Sequence, residues 1–240
     1  MSESLRMWVE IAFNVSYLIV VWTLVIMMAR RLPAVAPGDR PVAIRFMWAF
    51  ALLALGDTGH VGFRVVAYLL GGLETHPLLV GLGALSTAYT VTVFYMLLLD
   101  IWRLRFKKPL GVFGWILLGA GVARLIVMAL PQNQWGQIIA PYNWSLLRNA
   151  LLVVQGLGVM YLILRDAIRT GDRPFKWIGI MVAFSYAFYA PVILWSAQAP
   201  LLGMLMIPKT CAYLAVAIIG YRAIFRKKAA PQLQPTPQAA

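Results

Sequence analysis

The chain has 240 residues, of which 62% are hydrophobic and 12% charged. A soluble domain carries about twice that charged fraction, and the apolar residues come in long blocks, which excludes an ordinary water-soluble fold. A formal net charge of +13 invites nucleic acid as a partner, but in a membrane chain basic residues mark the cytoplasmic loops, so no nucleic-acid role is read from it.

The first segment, MSESLRMWVE, mixes its charges and leads into an apolar run of full spanning length. That run ends at Arg30 and Arg31, with no small-residue cleavage site, so it reads as a permanent span. Seven segments of about 20 residues or more follow the length rule for crossing a bilayer. They are predicted near 8–29, 43–70, 78–102, 110–130, 143–167, 175–197 and 201–224. The second is long and is expected to tilt or bend. Pro131, Pro141, Pro174 and Pro200 fall in the joins, where helix breakers belong. The expected fold is an all-α integral membrane protein, a seven-helix bundle over 1–228. The remainder, 229–240, is rich in Pro, Gln and Ala and reads as a disordered cytoplasmic tail.

Basic residues set the expected direction. Arg30, Arg31, Arg40 and Arg45 lie around the first join, and Arg103, Arg105, Lys107 and Lys108 around the third. Arg165, Arg169, Arg173 and Lys176 surround the fifth, and Arg222, Arg226, Lys227 and Lys228 follow the last span. The opposite side has only Arg6. The N-terminus is therefore expected outside and the C-terminus in the cytoplasm. The single cysteine, Cys211, permits no disulfide within the chain and no cysteine-rich metal site.

Within the spans, Arg64, Arg124, Arg148 and Lys209 remain to be explained. At about 1.5 Å of rise per residue, Asp57, Arg124, Arg148 and Asn149 all fall about 10 Å below the outer edge. Ser86, Tyr189 and Lys209 fall at about 12 Å. In span 2, Asp57, His60 and Arg64 are spaced i, i+3 and i+7, one stripe on a helix. A charge at the bilayer centre costs about 2.5–3.5 kcal/mol, so this stripe is expected to face the bundle interior. Gly56, Gly59 and Gly62 are consistent with close helix packing.

One reading of this layer is structural, with Asp57 paired to Lys209 or Arg124 and Arg64 reaching for the headgroups. The other is functional. Four cations face one carboxylate and one histidine, and unpaired buried charge is expensive. The missing anion is then a ligand, either a lipid headgroup or a small anion, unless water fills the space. Asp57 and His60 are the candidate catalytic pair, as a general base or with Ser86 as nucleophile. No nucleophile-elbow pattern accompanies Ser86. His76 and Glu74 are too few for a metal site, so no metal is expected. In the outer join, PQNQWGQIIAPYNWS, Trp135 and Trp144 suit an interfacial aromatic belt. Gln132, Asn133 and Asn143 are the alternative there, as donors at a pocket mouth.

Three segments, GDTGH, PQNQW and PKTCAY, resemble ones in uncharacterised bacterial seven-helix membrane proteins. That resemblance implies a multi-pass protein of the bacterial cytoplasmic (inner) membrane and brings no activity. YAFYAPVILW, MLLLD and Lys209 also resemble helices 6, 3 and 7 of the microbial rhodopsins. In that comparison Lys209 is the retinal-linking lysine and Asp100 the cytoplasmic-side carboxylate. The comparison departs at Leu205, Tyr89 and Ser86, where rhodopsins carry an acid, a counterion and an arginine.

The leading expectation is an outward-facing, cation-rich pocket for an anionic amphiphile or small anion, without a cofactor. Arg64, Ser86, Arg124, Arg148, Asn149, Tyr189 and Lys209 are its binding residues, and membrane lipids are the partners. Hydrolysis or transfer on a lipid headgroup is its enzymatic version. A retinal-binding photoreceptor comes second and a small transporter third.

Overall fold

The computed structural model describes residues 3–137, 140–195 and 199–226. These residues carry seven helices long and apolar enough to cross a membrane, and no strand. The helices are α1 (Glu3–Arg31), α2 (Arg40–Leu69), α3 (Pro77–Arg105), α4 (Gly111–Ala129), α5 (Tyr142–Thr170), α6 (Arg173–Trp195) and α7 (Met206–Gly220). The expected tail, 229–240, and the last two residues expected in span 6 lie outside the described residues.

Local chemistry explains the boundaries. Pro41 and Pro77 sit in the first turns of α2 and α3, where no intrahelical donor is needed. Gly171 closes α5 at φ +70°, the left-handed conformation that favours glycine. Asp172 then opens α6 by accepting the Phe175 N–H at 3.2 Å. One expectation needs correction. Pro174 is not in a join but in the first turn of α6, again where its missing N–H is harmless. The seventh span, Leu201–Phe225, falls where expected but changes helical geometry at both ends. It starts as a 3-10 segment, Pro200–Leu205, and ends in a π-helical turn, Tyr221–Phe225.

Consecutive helices pack side by side, α1 returns to α7, and α3 also reaches α5. The α2–α3 pair is the most extensive contact. A Cβ on Gly56 would strike Thr90, and one on Gly59 would meet Ser86, so both glycines let the two helices approach. Gly62 has open space instead and takes no part in this packing.

The two halves of the bundle differ. Buried residues crowd the half where α1, α3, α5 and α7 end and α2, α4 and α6 begin. Phe46, Phe50, Phe94, Tyr95, Ile163, Phe175 and Val216 fill it with almost no exposed surface. Phe50 meets Phe94 edge-on at 5.3 Å, and Phe94 meets Tyr95 in the same way at 5.4 Å.

That end is also the basic one, and its acids are paired there. Arg45 and Arg103 both bind Asp100. Arg105 joins Asp39 at 3.2 Å to Asp172 at 2.9 Å, tying the start of α2 to the α5–α6 turn. Asp166 accepts from Arg165 at 2.8 Å and from the Trp102 indole at 2.9 Å. The four basic joins therefore gather at one end. The outer faces of the helices are apolar, as on α4, where Val112, Trp115, Ile116 and Ile126 are exposed.

Candidate functional site

The opposite half encloses a cavity of about 470 Å³. All seven helices contribute to its lining. Asp57, His60, Arg64, Arg124, Arg148, Asn149, Tyr189 and Lys209 all line it. Ser86 does not: its side chain packs toward Gly59 in the α2–α3 seam, one residue out of register. Ser86 is thus corrected from binding residue or nucleophile to a packing residue.

The neighbour of Ser86 takes the polar role. Thr87 donates its hydroxyl to Asp57 Oδ1 at 2.7 Å, and Tyr17 of α1 donates to Oδ2 at 3.0 Å. Neither oxygen has His60 as its partner. His60 Nδ1 is buried without a hydrogen bond. The expected Asp57–His60 base and the Asp57–His60–Ser86 arrangement are therefore not assembled, despite the helical spacing that puts the first two on one face.

Arg124 is almost wholly buried and acts as a strut. Its Nε donates to the Arg148 carbonyl at 2.8 Å and its Nη1 to the Ala88 carbonyl at 2.8 Å and to Thr92 Oγ1. One guanidinium so links α3, α4 and α5 through uncharged acceptors. Gln155 continues the polar contacts by donating to the Thr92 carbonyl at 3.4 Å.

Arg148 is held by the join after α4. Pro131–Asn133 forms a 3-10 turn, and Gln134 at φ +48° turns the chain back. Asn133, with no exposed surface, donates to the carbonyls of Val127 at 2.6 Å and Leu130 at 3.0 Å. Its Oδ1 accepts from Arg148 Nη1 at 3.0 Å. Trp135 donates its indole N–H to the Met128 carbonyl at 3.0 Å. Its ring centroid lies 4.4 Å from the Arg148 guanidinium carbon, a cation–π contact. Trp135 therefore lines the cavity rather than serving only as an interfacial belt residue. Trp144 is half-buried and does not line it, and Gln132 and Asn143 are exposed. The backbone of Trp135 comes so near α3 that a Cβ on Gly81 would collide with it.

Lys209 of α7 meets aromatic faces rather than an acid. Its Nζ is 4.5 Å from the Tyr189 ring centroid and 5.5 Å from that of Tyr213. Tyr189 is fixed in turn, donating to Asn149 Oδ1 at 3.1 Å. Tyr213 shares a 2.6 Å hydrogen bond with the buried Tyr95 hydroxyl. Among the described residues, no carboxylate lies within 4 Å of Lys209 or Arg124; the ion pairs between described residues are at the basic end. The expected structural pairing of Asp57 with either cation is therefore not made as a direct contact. Asp100, the acid of the rhodopsin comparison, is engaged by Arg45 and Arg103.

Sequence reasoning missed Tyr17, Thr87 and the buried Asn133–Trp135 support of Arg148. Thr87 carried a signal, since the hydroxyl run STAYTVT is visible as Ser86, Thr87, Tyr89, Thr90 and Thr92. Which hydroxyl faces inward is set by helix phase, which a depth count does not resolve. No metal-binding group of His, Cys, Asp or Glu occurs among the described residues. Compared with family models, curated proteins and solved structures, the chain finds no match.

Proposed function

We propose that this is a binding protein of the bacterial cytoplasmic membrane whose cavity holds a small anion or the anionic headgroup of an amphiphile. The carrying observation is the charge of the cavity: Arg124, Arg148 and Lys209 line it, and Asp57 is the one carboxylate among the described lining residues. Desolvated charge is costly unless neutralised, and a bound anion supplies what the side chains lack. The lining also has a wide apolar and aromatic share, including Phe13, Leu53, Tyr186, Met204 and Ile207, which suits an organic ligand.

Ligand binding is favoured over hydrolysis. Ser86 is off the cavity and Asp57 does not orient His60, so nucleophile, base and orienting group do not meet. Binding is favoured over the retinal reading because a protonated Schiff base asks for an adjacent anion. Lys209 has tyrosine faces there instead.

The proposed topology has the N-terminus outside and the C-terminus in the cytoplasm. Its support is the gathering of the basic joins at one end. Cysteine labelling in a Cys211→Ser background is expected to find Gln132 outside and Lys107 inside. The reverse pattern would turn the cavity toward the cytoplasm. Native mass spectrometry of the purified protein tests the function. It is expected to show one molecule bearing a phosphate or carboxylate group retained per chain. Retention of only molecules without an acidic group, or of none under gentle ionisation, would oppose the reading.

A further inference from the structure

Among the described residues, Asp57 makes no direct ion pair with Arg124, Arg148 or Lys209, which share its cavity. It is presented by α2 and steadied from α1 and α3, through Tyr17 at 3.0 Å and Thr87 at 2.7 Å. Arg124, Arg148 and Lys209 come from α4, α5 and α7. Arg64 shares α2 with Asp57 but lies seven residues on, about 10 Å farther along the axis. Asp57 and these cations thus enter the cavity from different helices, with Lys209 near enough to feel the Asp57 charge without a direct ion pair.

The Asp57 carboxylate is held in place but its acceptor positions are incompletely used. A carboxylate has about four lone-pair sites, and the two hydroxyls fill one on each oxygen. Among the described residues, no cationic side chain lies within 4 Å of Asp57.

We propose that the ligand is a zwitterion with a primary ammonium. Its phosphate or carboxylate lies against Lys209 and Arg148, and its ammonium donates to Asp57. This rests on the anion-binding reading and names the ligand class for that site. A primary ammonium is preferred to a quaternary one because the open positions on Asp57 are hydrogen-bond acceptors, and a quaternary group has no N–H to give. The aromatic faces that would suit a quaternary group, those of Tyr189 and Tyr213, already meet the Lys209 ammonium.

The chemistry occurs in ethanolamine phospholipid headgroups and in free amino acids, so the test uses a matched pair for each. Glycerophosphoethanolamine is compared with glycerophosphoglycerol, and β-alanine with propionate, by titration calorimetry on the full-length protein in detergent. Glycerophosphocholine is the quaternary control. In one pair, the ammonium-bearing member is expected to bind at least about tenfold tighter, because one desolvated charge pair is gained. That pair identifies the source. Asp57→Asn is expected to reduce the ratio to near one while the ammonium-free ligand keeps its affinity. Should Asp57→Asn fail to fold, Asp57→Ser and the wild-type preference over glycerophosphocholine decide. Ratios near one in both wild-type pairs, or a tenfold ratio that survives in Asp57→Asn, overturn the zwitterion proposal while anion binding stands. If no anion of either pair binds, the underlying anion reading fails with it.

Discussion

Asn133→Ala is expected to lower the melting temperature by roughly 6–12 °C in detergent. The side chain has no exposed surface and makes three hydrogen bonds, to the Val127 and Leu130 carbonyls and from Arg148. Alanine removes all three bonds; the Val127 and Leu130 carbonyls keep the backbone N–H groups of Leu130 and Asn133, each at 3.2 Å, while Arg148 Nη1 loses its acceptor, and a lost hydrogen bond costs about 0.5–1.5 kcal/mol, or about 1.5–3 kcal/mol where one partner is charged. A net loss of about 3 kcal/mol corresponds to that shift in a chain of this size. Its exposed neighbour provides the control: Gln132→Ala should melt with the wild type. Because Asn133 also holds Arg148, anion affinity should fall with stability. Equal melting of Asn133→Ala and wild type would mean that the join does not organise the cavity.

Lys209→Met should separate stability from binding. Methionine keeps much of the length of the side chain and removes its charge. With no carboxylate within 4 Å among the described residues, little direct pairing is lost. The cation–π contacts with Tyr189 and Tyr213 are lost, but so is the penalty of a charge in the membrane, about 2.5–3.5 kcal/mol. The ligand-free variant should melt at or above the wild-type temperature. Its affinity for a phosphate-bearing anion should fall by about 30-fold or more, a loss of about 2 kcal/mol. A marked drop in melting temperature with unchanged affinity would instead make Lys209 a structural residue.

Much of the fold was legible because lipid imposes a simple rule. Only helices satisfy their own backbone in a bilayer, so apolar length and basic joins locate the spans. The departures occur where the backbone changes geometry without losing hydrophobicity, as at Pro200–Leu205 before α7. Counting depth likewise brought Asp57, Arg124, Arg148 and Lys209 to one cavity, since rise per residue is fixed. Helix phase was the harder quantity. Ser86 and Thr87 share a depth but face different neighbours, Gly59 and Asp57. The support of Arg148 was illegible for another reason. Asn133 and Trp135 lie in a join whose path depends on a 3-10 turn, on Gln134 at φ +48° and on close approach to Gly81. None of these follows from hydropathy.

The central claim is that an anion completes the charge balance of the cavity. It is tested most directly by titrating glycerophosphoglycerol and, separately, propionate into the wild-type protein in a neutral detergent, with glycerol as the uncharged comparison. One saturable site per chain for at least one of the two anions, none for glycerol, and affinity weakened by about 30-fold or more in both Lys209→Met and Arg148→Met is the predicted result. Failure of both anions to saturate, or binding of either to the folded double variant Arg148→Met/Lys209→Met as well as to the wild type, would contradict it.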